Sequence, residues 1–171
     1  MSTNPIPRAE PLKSVRDLAM RLNNRAWDLV ELERRTAKET IEMVDAAYGS
    51  RALWRMATDD EDSVERLRAH HVVACACARA RYGDQALRAA RMAAEHERRF
   101  TRGISEFDRA MTLVSMHLAL LLHPGAPIVE PLMTLIDGLE PDEAEVLSRL
   151  LPWPRFRTGQ GTQASRVAVP T

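Results

Sequence analysis

Proline does not occur between Leu12 and His123, although the chain contains ten. Pro5, Pro7 and Pro11 precede that stretch, and the other seven lie at or beyond Pro124. Proline is the strongest helix breaker, so its absence over such a length favours helix throughout. Cysteine is nearly missing too. Cys75 and Cys77 are the only two, and at that separation they cannot staple a fold, which points to a reducing, cytoplasmic compartment. No apolar run approaches the roughly 18 to 20 residues that span a bilayer. The longest, Ala110 to Leu122, is interrupted by Thr112, Ser115 and His117, so no membrane partner is expected. The opening residues, Met1 to Arg8, lack the apolar core of a secretory signal. Charge of one sign is absent as well: 24 basic and 24 acidic residues cancel, so whole-molecule electrostatics names no partner. Lysine is rare. Twenty-two arginines stand against Lys13 and Lys38, alongside 24 alanines, a composition that suits a GC-rich, bacterial coding sequence.

What is present is enough for one domain. The chain has 171 residues, 45% apolar and 28% charged, and a chain of that length buries about two thirds of its unfolded surface. Glycine divides the proline-free stretch only at Gly49, Gly83 and Gly103, each at a position expected for a helix C-cap. The expected fold is therefore an all-α bundle of four main helices, about 14–48, 50–82 with a break near 58–62, 84–102 and 105–122. Two short C-terminal helices follow, one over 129–138 and one starting at Pro141, which suits a first helical position. A flexible arm (1–12) and a flexible tail (154–171) flank a single helical domain (13–153). Ser14 with Asp17 and Ser105 with Asp108 have the spacing of N-caps, and Asp62 or Ser63 is placed to cap the helix after the break. The Ala110–Leu122 segment is apolar on most sides and is expected to be central.

A helix of about 35 residues is long for a globular protein and implies a partner helix in cis or in trans. Its seam is Leu18, Leu22, Leu29, Ala37, Ile41 and Val44 at helical spacing. The late apolar residues Leu132, Leu135, Ile136, Leu139, Val146, Leu147, Leu150, Leu151 and Trp153 either close the bundle or form a docking surface.

Charge is uneven along the chain. Residues 63–102 carry nine arginines against four acids, whereas 128–145 carry six acids and no base. Either these two segments lie together and neutralise, or Arg88, Arg91, Arg98, Arg99 and Arg102 form a basic stripe that meets an anionic partner. A helix ending at Gly83 followed by one starting at Asp84 has the order of a helix-turn-helix. Its turn is very short, however, and Glu95 and Glu97 interrupt the basic face.

Reactive constellations are not evident. Cys75 and Cys77 lie about 200° apart on a helix and cannot share an ion, and His71 with Cys75 supplies two ligands where zinc needs three or four. None of the five histidines has Glu three residues before it, as a di-iron bundle requires. Glu95 and Glu97 flank His96, but Arg98 and Arg99 beside them read as a solvated helix face. No phosphate-binding glycine loop or nucleophile elbow occurs. No catalytic residue, cofactor or metal is expected. The leading expectation is a non-enzymatic interaction protein (an adaptor, regulator or assembly component) that self-associates. The alternative is a nucleic-acid-binding regulator using residues 63–102. A third reading places a small-molecule pocket between the second and fourth helices, near His71, His117 and Trp54.

Overall fold

The computed structural model describes residues 14–100, 103–123, 136 and 138–151. Among them the chain is all-helical, with α1 Val15–Glu31, α2 Ala37–Ala57, α3 Val64–Arg79, α4 Gly83–Arg99, α5 Glu106–Leu120 and α6 Pro141–Leu150. The all-α bundle expected from the proline pattern is what the structure has. The arm 1–12, nearly all of the 129–138 segment, Arg102, Trp153 and the tail 154–171 lie outside the described residues.

The bundle is divided differently from the expectation. The segment 14–48 is not one helix. It breaks at Leu32–Thr36, and the chain reverses into an antiparallel α1–α2 hairpin, a five-residue connection of the usual helical-hairpin length. Two devices make the break. The Arg35 guanidinium donates to the carbonyls of Leu29, Val30 and Leu32 at 2.9, 3.1 and 2.6 Å, which satisfies acceptors left open at the end of α1. Thr36 and Glu39 then form a reciprocal capping box, with Thr36 N–H on the Glu39 carboxylate at 2.8 Å and Glu39 N–H on Thr36 Oγ1 at 3.2 Å.

Gly103 lies three residues beyond Phe100, the C-cap of α4, and the other two glycines do other work than capping. Gly49 lies inside α2, where a Cβ would sit 2.9 Å from Leu22 Cδ1. It lets α1 approach, and the buried Ser50 hydroxyl donates to Ala19 O across the same contact at 3.0 Å. Gly83 opens α4 instead of closing α3. The left-handed residue after α3 is Arg81, with φ 62°. Arg81 N–H bonds Ala78 O at 3.0 Å and Tyr82 N–H bonds Cys77 O at 2.8 Å, the paired bonds of a Schellman motif.

Other caps follow the expected chemistry. Ser14, Ser63 and Ser105 accept from the backbone N–H three residues on, and Pro141 begins α6. The centre of the bundle is α3 as well as α5. Every residue from Ala69 to Ala78 is buried, and α3 packs on α1, α2, α4 and α5. That is possible because the run is mostly Ala, Cys and Val, whose short side chains let helices close in from all sides. Facing it, α4 buries a stripe of Ala86, Ala89, Ala90 and Ala93. Leu29, Val30, Met43, Val72, Val73, Val114, Leu147 and Leu150 fill the core with larger groups. Truncating Leu29, Met43, Leu147 or Leu150 to Ala is worth about 2–5 kcal/mol of stability.

Candidate functional site: an arginine cleft between three helices

At 100° per residue, positions 88, 92, 95, 96 and 99 of α4 share one face. That face turns toward α2 and α3 and encloses a cleft of about 390 Å³. Arg88 and Arg99 come from α4, Arg51 and Arg55 from the last turns of α2, and Arg66 from the first turn of α3. His70 and His96 close the floor, while Glu61 and Glu95 are the acids among its lining residues.

The five arginines are not equivalent. Arg66 is structural: its guanidinium donates to Arg55 O, Thr58 O and Thr58 Oγ1 at 3.0, 2.7 and 2.9 Å, closing the end of α2. Arg51 lies 4.9 Å from the centre of the Tyr48 ring, and Arg99 pairs with Glu95 one turn away. Arg55 and Arg88 are exposed and make no ion pair among the described residues.

The histidines are held neutral. Burial, with Arg51, His96, Arg55 and Arg66 nearby, pushes His70 down to about 4. Its Nδ1 is buried without a hydrogen-bond partner among the described residues. Burial also lowers His96, against the opposing effect of its hydrogen bond to Ser63 O at 3.2 Å. The rings lie 5.9 Å apart. The cleft therefore offers guanidinium donors whose fork geometry fits carboxylate and phosphate oxygens, over a floor of uncharged imidazoles.

A second polar group sits between α3 and α5 and serves as a clasp. Arg68 holds Asp108 through two parallel bonds of 2.8 and 2.9 Å, and Ser105 donates to the same carboxylate at 2.7 Å. Burial alone would raise Asp108, but these donors outweigh it and hold the carboxyl below its ordinary value. Thr112 donates its hydroxyl proton to Asp108 O at 3.2 Å, so His71, 2.9 Å from Thr112 Oγ1, must be the donor there through Nε2–H. Cys75 Sγ lies 3.8 Å from Ser115 Oγ on α5, while Cys77 points the other way and donates to Tyr48 at 3.7 Å. Burial pushes the Cys75 thiol up to about 12, which removes it as a nucleophile at neutral pH. Among the described residues, no group of three or more His, Cys, Asp or Glu is placed to hold a metal ion.

Of the arginines singled out by sequence, Arg88 and Arg99 line the cleft. Arg91 and Arg98 are exposed on the neighbouring face of α4, with Arg98 bonded to Ala94 O at 3.3 Å, and Arg102 is outside the described residues. Arg51, Arg55 and Arg66 were missed, because only tertiary packing brings α2 and the start of α3 alongside α4. A spacing of i,i+4 between Arg51 and Arg55 is the one sequence signal that marks them. The cleft has no lining residue from α6, which packs on α5 and α1. The described part of the acidic 128–145 region thus does not line it.

The seam residues of α1 and α2 separate in the same way. Leu29 is buried, Leu18, Leu22 and Val44 are half-buried, and Ala37 and Ile41 are exposed, Ile41 by 58%. Trp54 packs in a small satellite with Ala19 and Ala69, away from His71. Comparison with protein-family models, curated proteins and solved structures finds no match to this chain. No helix among the described residues is long and apolar enough to cross a membrane.

Proposed function

We propose that this chain is a non-enzymatic interaction protein that captures an acidic or phosphorylated segment of a protein partner in the arginine cleft. The observation that carries the reading is that five arginines from three helices line one concave space, and that among the described residues only Arg99 of the five is ion-paired, Arg55 and Arg88 having no side-chain partner at all. Concavity favours a compact anion. An extended phosphate backbone needs a protruding row of contacts, which a concave site does not present. A partner of this kind is recognised by charge-assisted, often bidentate bonds.

Titration calorimetry with an acidic serine-phosphorylated peptide tests the reading. Binding is expected to weaken with salt and to be lost in the double variant Arg55→Glu, Arg88→Glu, which should keep the wild-type helical circular dichroism. An inert peptide alongside tight retention of duplex DNA would overturn it. That outcome would favour the second reading, a nucleic-acid-binding regulator using residues 63–102. The exposed Arg91 and Arg98 beside the cleft support that alternative, and Arg88→Ala with Arg91→Ala would weaken such binding.

Self-association belongs to the same proposal. The outer face of α1–α2 carries Ile41, flanked on α2 by Lys38 and Asp45. Lys38 and Asp45 are seven residues apart on one face. Two copies of α2 crossing antiparallel would set each Lys38 against the other copy's Asp45, around a shared Ile41 contact.

A further inference from the structure

We infer that a second concavity, between α1, α3, α5 and α6, is a binding site for a small, neutral, planar aromatic molecule that carries an amide-like edge. The cavity holds about 310 Å³, the small end of ligand pockets, which suits one or two fused rings. Trp27 of α1, Phe107 and Met111 of α5 and Val146 of α6 are among its lining residues. Two aromatic faces and a polarisable thioether are the surroundings a flat ring prefers.

The polar end is Asn23, also a lining residue. Its Oδ1 is buried with no hydrogen-bond partner among the described residues. A buried acceptor left open inside a helix packing is rare in folded proteins and needs a reason. The terminal amide torsion of asparagine is soft, so the group can turn toward an occupant and gain the bond it lacks. A carboxamide offers one acceptor and donors side by side, which pairs with an edge bearing N–H next to an acceptor.

Charge on the ligand is disfavoured because the lining residues Arg68 and Asp108 are already matched to each other, while the exposed Glu31, the remaining charged lining residue, lies 4.0 Å from Arg149. Both Asp108 oxygens accept from Arg68, one of them also from Ser105, and His71 commits its N–H to Thr112. The site thus differs in kind from the arginine cleft. The two concavities lie on opposite sides of α3, His70 belonging to one and His71 to the other.

Benzamide is a suitable probe, with acetophenone as the near-isostere that keeps the ring and carbonyl but lacks the N–H donors. The full chain, carbon-13 labelled at the methionine methyls, is titrated with each. Met111 is expected to shift saturably with benzamide while the exposed Met56 stays unmoved. Acetophenone should bind at least about tenfold more weakly, the usual penalty for an unmade buried hydrogen bond. Asn23→Leu should abolish that preference yet unfold at the same or a higher urea concentration, since the lost acceptor had no partner. A purely structural asparagine would instead show a lower midpoint. Should Asn23→Leu fail to fold, Val146→Trp, which fills the cavity from α6, must block the Met111 shift. An unmoved Met111 at millimolar benzamide, or equal affinity for the two compounds, overturns the inference.

Discussion

Lowering the pH from 7 to 5 should destabilise this bundle through its buried histidines, and the size of the effect follows from where they sit. His71 is 1% exposed and burial pushes it down to about 3, against an ordinary value of 6.5. A histidine with a lowered folded-state pKa takes up a proton on unfolding once the pH falls below 6.5. Its contribution is therefore fully present above 6.5 and shrinks as the pH drops toward the folded value. At pH 5 linkage gives a loss of about 2 kcal/mol relative to pH 7 for such a group. His70, pushed down to about 4, adds a similar amount. Carboxylates barely enter this window, because their ordinary values of 3.8 and 4.5 lie below it. These two alone give about 4 kcal/mol, a large share of the stability of a small domain, and His96 and His117, also lowered by burial, act in the same direction. Urea denaturation of wild type and His71→Gln at both pH values reads it directly. Glutamine keeps a donor for Thr112 but cannot titrate. Whatever its stability at pH 7, its loss between pH 7 and 5 should be about 2 kcal/mol smaller than that of wild type. Identical losses in the two proteins would mean that His71 is not held neutral by the core, and the packing argument for α3 would fail with it.

Three further outcomes test other parts of the structure. Arg81→Gly should raise stability by about 1 kcal/mol in urea denaturation, because glycine enters the left-handed conformation at the end of α3 without a Cβ penalty. A drop would show that the arginine side chain holds that turn. Thr36→Ala removes one half of the capping box and should lower stability by about 1 kcal/mol, with the loss visible as reduced helicity at 222 nm on warming. Ile41→Glu places a charge on the exposed α1–α2 face and should shift sedimentation toward the monomer without changing the unfolding midpoint. A wild-type chain that sediments as a strict monomer at high micromolar concentration would remove that surface from the account.

Much of the fold was legible because its signals are local. The proline-free stretch gave the helical class, Ser14, Ser105 and Pro141 marked three helix starts by side-chain chemistry alone, and a fourth was narrowed to Asp62 or Ser63, of which Ser63 is the cap. The α1–α2 reversal was hidden because Glu31-Leu-Glu-Arg-Arg35 is made of good helix formers and contains no breaker. The local cue was Thr36-x-x-Glu39, a capping box inside what reads as a solvated helical face. Gly49 misled for the opposite reason, since its role is to admit Leu22 from another helix, a tertiary demand that no local pattern records. The candidate site divides along the same line. Arg88 and Arg99 share a helix face and could be paired by counting. Arg51 and Arg55 join them only once the hairpin has placed α2 beside α4. The Asn23 cavity depends on four helices and leaves no periodic trace.

The encasement of α3 has a consequence for how the molecule opens. Its backbone amides from Ala69 to Ala78 are shielded by four neighbouring helices. Deuterium can reach them only through rupture of the bundle as a whole, so their exchange rates report the global free energy. Separation of the outer helices α2 and α4, which wall the arginine cleft, from α3 would be a smaller opening, expected to occur more often. An occupant of the cleft would slow exchange on those walls while leaving the ratio of rates within α3 unchanged.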